Sequence, residues 1–471
     1  MRKIYFALTV CLLQFAANAQ IFDVDTLQYK GDSDKFINLV VMGDGFTAAQ
    51  QDDFIGKATN LTDYLLGQEP WSNYKNYFNV FAIKVISAQS GTKHANTASD
   101  CNTAFPAVPV SSPTTYFGCR FDYIGIHRLV VPQFNSAIAS VLAANMPNYD
   151  QVMILANTPY YGGSGGSWAT CTADEGAYDV TAHEMAHSFA NLADEYYAGD
   201  NYFSERPNMT QQSNPNLIKW KNWLTDDITD IGIENYCCGG NTALWYKPTH
   251  MSCKMEIYGV PYCRVCKETI IEKIHVLANP IVEYTPTSLN IESSEALLDF
   301  NLSELMKPEP NTLHIKWQLD TSIFDSNSET FQVDPNMLPL GIHTLTASVV
   351  DETELVRVDN HAALHVHSVT WTINKTGLGV AVASAENKFG YAIYPNPSEA
   401  IVTIALDLDK NSSVAIDLIA LDGKKVREIP AKMASEGKFE QQINIESLAS
   451  GTYQAVVKID GVQYSKALVK E

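Results

Sequence analysis

Residues 181–200, TAHEMAHSFANLADEYYAGD, set two histidines four positions apart, with a glutamate beside the first and two adjacent acids downstream. On a helix each residue turns about 100°, so His183 and His187 project from one face, one turn apart. That spacing lets two imidazole nitrogens reach a single Zn2+ at roughly 2.0–2.1 Å. Glu184 stands where its carboxylate can take a proton from an attacking water. Met185, Ala186, Phe189, Ala190 and Leu192 can bury the rest of the helix, and Thr181 is placed to cap its start. The plain alternative is a surface helix that happens to carry an i, i+4 histidine pair. A glycine-rich stretch upstream, an acid cluster downstream and a methionine-containing segment further on favour the metal.

Zinc in a hydrolase takes three protein ligands and keeps one position open. Continued as a helix, the chain would carry Asp194 roughly 10 Å beyond His187, at about 1.5 Å per residue. It is therefore expected to bend after about Phe189. Asp194 is the expected third ligand. Glu195 is the alternative, or else the group that steadies a ligand histidine from behind. A more distant ligand also stays open.

Around this segment, residues 20–278 read as one α/β (α+β) unit. FINLVVMGDGF (36–46), YFNVFAIKVIS (77–87) and YDQVMILAN (149–157) are apolar runs of buried-strand character. AAQQDDFIGKATNLTDYLL (48–66) and NSAIASVLAANM (135–146) read as helices between them. Strands alternating with helices predict a parallel or mixed sheet. The segment GGSGGSW (162–168) suits an edge strand on which a substrate backbone can pair, because glycine permits close approach. A flexible loop is the other reading.

Beyond about residue 279 the texture changes. NTLHIKWQLD (311–320), GIHTLTASVVD (341–351) and HAALHVHSVTWTI (361–373) alternate with period two, predicting an Ig-like β-sandwich over 279–378. His361, His365 and His367 fall on such strands, where scattered histidines usually serve no chemistry. A small-residue linker follows at 379–389, and a second all-β unit occupies 390–471.

Three motifs in that last unit carry a resemblance: IYPNPS (393–398), LDGKKV (421–426) and SGTY (450–453). They resemble the C-terminal sorting domain of type IX secretion substrates, which implies a small β-sandwich recognised by outer-membrane export machinery. A second resemblance covers most of residues 20–278. LVVMGDGFTAAQQDDF (39–54), YFNVFAIKVISAQSG (77–91), the glycine run to Trp168, HEMAHSFANLADEY (183–196) and SCKM (252–255) resemble the IgA-peptidase (igalysin) family. The resemblance implies a metzincin-like catalytic domain with zinc endopeptidase activity. It also implies a methionine turn beneath the metal, for which Met255 is a better match than Met251. The chain departs from the metzincin pattern His-x-x-Gly-x-x-His/Asp, because Ala190 and Ala193 occupy the glycine and ligand positions. Tyr258 or Tyr262 is expected to reach the oxyanion of the reaction.

The whole chain has 471 residues, 32 basic against 53 acidic, for a formal charge of −21. That excess excludes a nucleic-acid-binding surface, which needs a basic face. Residues 1–19, MRKIYFALTVCLLQFAANA, have the basic start, short apolar run and Ala-x-Ala end of an export signal. No other segment is apolar and long enough to span a bilayer. Eight cysteines remain after Cys11, namely Cys101, Cys119, Cys171, Cys237, Cys238, Cys253, Cys263 and Cys266. In an exported protein an even number predicts disulfides, with a structural metal or redox motif the alternative at Cys263-x-x-Cys266. The acidic run 194–200 also admits Ca2+.

The expected protein is thus a secreted or cell-surface zinc endopeptidase. Its partners are a protein or peptide substrate and the outer-membrane type IX export machinery. A zinc hydrolase of a cell-wall or glycan amide and a non-catalytic surface binding protein are the competing readings.

Overall fold

The computed structural model describes residues 20–103, 106–199, 203–236, 240–292, 296–376, 389–420 and 424–471. The expected leader, Asp200, Cys237, Cys238 and linker residues 379–388 lie outside the described residues.

The first unit is built on a six-stranded sheet. Its strands are β1 (Val24–Gln28), β2 (Ile37–Asp44), β3 (Phe78–Ile83), β4 (Gln151–Ala156), β5 (Gly163–Ser164) and β6 (Ala169–Thr172), in the order β1-β3-β2-β4-β6-β5. The inner strands β3, β2, β4 and β6 run parallel, and β1 and β5 are antiparallel edges. Every residue of β2, β3 and β4 is buried, because both faces of the sheet are covered. Successive side chains point to opposite faces. Leu39, Val41, Val80, Ala82, Met153 and Leu155 therefore share a core with helices α1 (Gln51–Leu66), α3 (Tyr178–Ala190) and α4 (Arg264–Leu277). Val40, Met42, Phe81, Ile83, Val152 and Ile154 face α2 (Asn135–Asn145) and the long connection before it.

Asp44 at the end of β2 organises that connection. Its buried carboxylate accepts from Phe117 N (2.7 Å), Cys119 N (2.8 Å) and Thr115 Oγ1 (2.8 Å). The next residue, Gly45, has φ +81°, and a Cβ there would run into the carbonyl of Gly91. Only glycine turns the chain at that point.

Two sheets follow around a single core. One orders the strands Asn290–Glu292, His367–Lys375, Gly341–Asp351, Leu313–Leu319 and Ser322–Phe324; the other orders Thr330–Val333, Leu298–Leu305 and Ile281–Thr285. Trp317 and Trp371 stack at 5.9 Å between the sheets. The expected strand over 361–373 begins only at His367, and His361–Leu364 form a short helix instead. His361 Nδ1 and His365 Nε2 bind the Glu272 carboxylate of α4 at 2.5 and 2.8 Å, so both histidines join this unit to the first. Tyr74 OH (2.6 Å) and His275 Nε2 (3.2 Å) meet Asp351 at the same junction.

The last unit again packs two sheets on one core. Three strands, Ala392–Tyr394, Ile401–Leu408 and Gly437–Asn444, face four, Lys425–Ala434, Ser412–Ala420, Gly451–Ile459 and Val462–Lys470. The molecule is thus an α+β unit followed by β-rich units. No described helix is long and apolar enough to cross a membrane.

The six described cysteines are free and buried, so the expected disulfides do not form among them. Cys119 and Cys171 lie in cores on opposite sides of the sheet. Cys101 contacts Asp122, and Cys253, Cys263 and Cys266 gather with Glu195.

Candidate active site

Helix α3 follows a single turn, Glu175–Ala177, and carries Asp179 in its first turn, where the helix dipole favours an acid. Thr181 does not cap it. The threonine sits inside the first turn and donates from Oγ1 to Ala177 O at 3.1 Å. Phe189 fixes the other end by packing its ring on Trp71 at 5.0 Å. Burying a phenylalanine side chain contributes roughly 1.5–3 kcal/mol. The helix stops at Ala190, and the bend is made by Asn191, at φ 56° and ψ 30°. Asparagine tolerates this left-handed conformation better than most residues, so it supplies the turn without a glycine.

The bend brings three atoms of metal-ligating type together. His183 Nε2 and His187 Nε2 lie 3.1 Å apart, and Asp194 Oδ1 lies 3.0 and 3.1 Å from them. The other ring nitrogens are held by backbone carbonyls, His183 Nδ1 by Lys254 O (2.9 Å) and His187 Nδ1 by Leu192 O (2.7 Å). Carbonyls only accept, so each Nδ1 carries the hydrogen, and in the neutral rings each Nε2 turns a lone pair toward Asp194. Two lone pairs and a carboxylate at this separation repel unless a positive charge sits among them. The donor set fits a divalent metal ion. Glu195 takes no part in this triangle. Its carboxylate points the other way, to Asn208 Nδ2 (3.0 Å), Thr249 Oγ1 (3.1 Å) and Cys266 Sγ (3.3 Å).

Residues 192–195 are secured one backbone group at a time. His187 takes Leu192 O, and Asn208 clasps Ala193 through both N (2.7 Å) and O (2.8 Å). Tyr236 OH donates to Asp194 O at 2.7 Å, and Glu195 N donates to Met255 O at 2.7 Å. Neither Asn208 nor Tyr236 carries a sequence signal, because each acts across a long loop.

The segment holding Met255 forms a tight turn in which Glu256 N and Ile257 N both return to Cys253 O. Met255 is fully buried. The carbonyls on either side of its nitrogen and carbon, Lys254 O and Met255 O, hold His183 and the residue after Asp194. The Lys254 ammonium pairs with Asp179 at the start of α3, and Gly259 N donates to the same carboxylate at 2.5 Å. Helix and turn are thereby fastened at both ends. Tyr262 is buried with its hydroxyl donating to Ala182 O, so it is unavailable to a substrate. Tyr258 is exposed, and its ring meets His183 edge-on at 5.4 Å. Tyr196 stacks over the same histidine at 6.2 Å.

Glu184 lies beside the triangle, with Oε2 4.0 Å from His187 Nε2. Burial raises its pKa, while the two histidines pull it down. Burial likewise lowers that of His187, but the hydrogen bond and charge of Asp194 outweigh it and raise it to about 9. The pocket therefore draws in positive charge. For Tyr258, burial and then the neighbouring Tyr161 and Glu184 push the phenol up, keeping it a neutral hydrogen-bond donor.

The glycine run is less open than its composition predicts. Gly163 N donates to Arg128 O (3.1 Å), Val130 N donates to Gly163 O (3.3 Å), and Ser164 Oγ donates to Val130 O (2.5 Å). Only residues 165–167 remain exposed. A Cβ on Gly165 would collide with Glu184 Oε2 and lie 3.2 Å from His187 Cδ2. Gly165→Ala is expected to push the carboxylate aside and lower kcat/KM by about 10²-fold, leaving metal content unchanged; steady-state kinetics with metal analysis checks this.

Comparison with known proteins places this geometry. Residues 26–230 match the family model for IgA Peptidase M64. That span contains His183, Glu184, His187 and Asp194 and ends before the Met255 turn. Residues 392–471 match a secretion system C-terminal sorting domain, which marks a secreted or cell-surface protein. The two matches together indicate an exported protein that carries a segment similar to a peptidase family over less than half of its length. No curated protein matches the chain. Among solved structures, SGBP-B of the Bacteroides ovatus mixed-linkage glucan utilization locus is 15% identical, at a TM-score of 0.14, over 39% of this chain and 42% of that one. Bacteroides uniformis beta-glucuronidase 3 is 8% identical, at a TM-score of 0.14, over 47% and 28%. The chain thus spans less than half the length of either, and likenesses this weak carry no inference.

Proposed function

We propose that the protein is a zinc-dependent endopeptidase, exported by the type IX route, that cleaves extracellular proteins. Its catalytic unit is metzincin-like and occupies residues 20–278, followed by an Ig-like unit over 279–378 and the sorting unit over 390–471. The observation that carries the reading is the triangle of His183 Nε2, His187 Nε2 and Asp194 Oδ1, with sides of 3.0–3.1 Å. Two imidazoles and one carboxylate suit zinc and leave a fourth position for chemistry. Bound there, zinc would supply a Lewis acid that polarises a carbonyl and acidifies water.

The chain's own groups do the rest. Glu184 accepts a proton at its carboxylate from the attacking water and delivers it to the departing amine. Its burial favours the neutral form, which brings the carboxylate toward the proton affinity that such a shuttle needs. Tyr258 donates from its hydroxyl to the oxygen that becomes negative as the carbonyl is attacked. Residues 165–167, exposed next to Glu184, receive the extended substrate backbone.

The test is cleavage of a peptide library and of folded extracellular proteins, with and without a chelator. Activity on peptides is expected to vanish with the chelator and to return with added Zn2+. Activity confined to glycan amides or peptidoglycan would replace the substrate assignment, and chelator-resistant proteolysis would remove the mechanism.

A further inference from the structure

Behind the proposed zinc triangle, on the side to which Glu195 turns, lies a second group of ligand-type side chains. The Glu195 carboxylate and the Sγ atoms of Cys253, Cys263 and Cys266 all fall within 4.8 Å of one another, and all four residues are buried. Cys253 Sγ and Cys266 Sγ are 3.7 Å apart, and Cys266 Sγ is 3.3 Å from Glu195 Oε1. A disulfide would need about 2.05 Å. Sulfurs bound to one zinc at about 2.3 Å stand roughly 3.8 Å apart at the tetrahedral angle, close to the separation of Cys253 and Cys266.

Burial works against thiolates at Cys253 and Cys266, and backbone donors and a helix start offset part of that cost. Met255 N and Cys263 N both donate to Cys253 Sγ at 3.4 Å. Cys263 is the residue before α4 and Cys266 lies in its first turn, where the positive end of the helix dipole stabilises a negative sulfur. None of the partners of the Glu195 carboxylate, Asn208, Thr249 and Cys266, is a cation. The Lys247 ammonium is engaged instead by the Glu195 backbone carbonyl and the Glu256 carboxylate. A buried carboxylate facing three thiols is costly without a counter-charge. Three thiols in one pocket of an exported protein would also strand one if two were oxidised together.

We propose that Cys253, Cys263, Cys266 and Glu195 bind a structural zinc ion, distinct from the one at His183 and His187. Four protein ligands close the coordination shell, so this ion holds structure and meets no substrate. Binding releases the thiol protons to solvent and involves no change of oxidation state. The ion ties α4, the Met255 turn and Glu195 into one unit. Because Glu195 N already donates to Met255 O at 2.7 Å, the unit fixes the position of the preceding residue, Asp194. The assignment holds whether or not the neighbouring triangle hydrolyses peptides.

The experiment uses the full chain loaded with Co2+ in place of Zn2+, read by absorption and by metal analysis. The nitrogen and oxygen donors of the His183 triangle give no thiolate-to-cobalt charge-transfer band, whereas this cluster does. Cys266→Ser is expected to weaken that band strongly and to lower bound metal by about one equivalent per chain. Glu184→Gln serves as the comparison and keeps both. An unchanged band and metal content in Cys266→Ser would overturn the assignment. If Cys266→Ser does not fold, thiol mapping of the wild-type protein decides the matter. Cys253, Cys263 and Cys266 are expected to resist alkylation until a chelator is added, and a disulfide among them in the metal-loaded protein would refute the site.

Discussion

Glu184→Gln is expected to keep its fold and its metal and to hydrolyse peptides about 10²–10⁴-fold more slowly, the span that a general acid–base group typically contributes. The substitution preserves the shape of a side chain wedged between Gly165 and His187, so it perturbs packing little. It removes the carboxylate that the proposed mechanism uses to accept a proton and return it. Glu184 is not a vertex of the triangle, whose three corners are atoms of His183, His187 and Asp194. Metal content is therefore expected to stay within error of wild type. A neutral amide also costs less to bury than a carboxylate, so thermal stability is expected to hold or rise. Metal analysis, a melting curve and kcat/KM on one peptide check the three statements together. Wild-type kcat/KM in a correctly folded variant would show that another group moves the proton.

Asp194→Ala acts on the other half of the site. It deletes one vertex and leaves His183 Nε2 and His187 Nε2 facing each other at 3.1 Å. Metal affinity is expected to fall by more than the roughly 10–100-fold typical of losing an outer-shell partner, and activity to fall with it. The surrounding chain stays in place, because residues 192–195 are held through their backbone by Asn208, Tyr236 and Met255 rather than by the Asp194 side chain. The expected variant is thus folded but metal-poor, with part of the activity restored at high zinc. Equilibrium dialysis against Zn2+ measures the affinity, and an unchanged value would transfer the third-ligand role to another residue.

How much of this is legible in the sequence follows from the range over which each feature is encoded. The pairing of His183 with His187 is local, set by helical spacing. The buried strands β2, β3 and β4 read as unbroken apolar runs because both faces of the sheet are covered. The bend after α3 is implied by the reach needed for Asp194, but its means is not. Asn191 adopts the left-handed turn where glycine is the usual choice. The different fates of Asp194 and Glu195 are decided by distant partners, Asn208 and Thr249 for Glu195 and the histidine pair for Asp194. Adjacent residues leaving an irregular segment in opposite directions have no periodic signature. Cysteine parity pointed to disulfides, yet Cys253, Cys263 and Cys266 meet around a carboxylate, a three-dimensional fact that counting does not reach. The occupation of Gly163 by Arg128 and Val130 is likewise a contact between segments far apart in the chain.

The central claim is a cation held between two imidazoles and Asp194. An anomalous difference map from crystals of the zinc-loaded protein, recorded on both sides of the zinc absorption edge, tests it most directly. The account predicts a peak about 2.0–2.2 Å from His183 Nε2, His187 Nε2 and Asp194 Oδ1, with Glu184 outside bonding distance. An empty triangle in crystals that bind zinc elsewhere, or a peak ligated by Glu184 in place of Asp194, would contradict it.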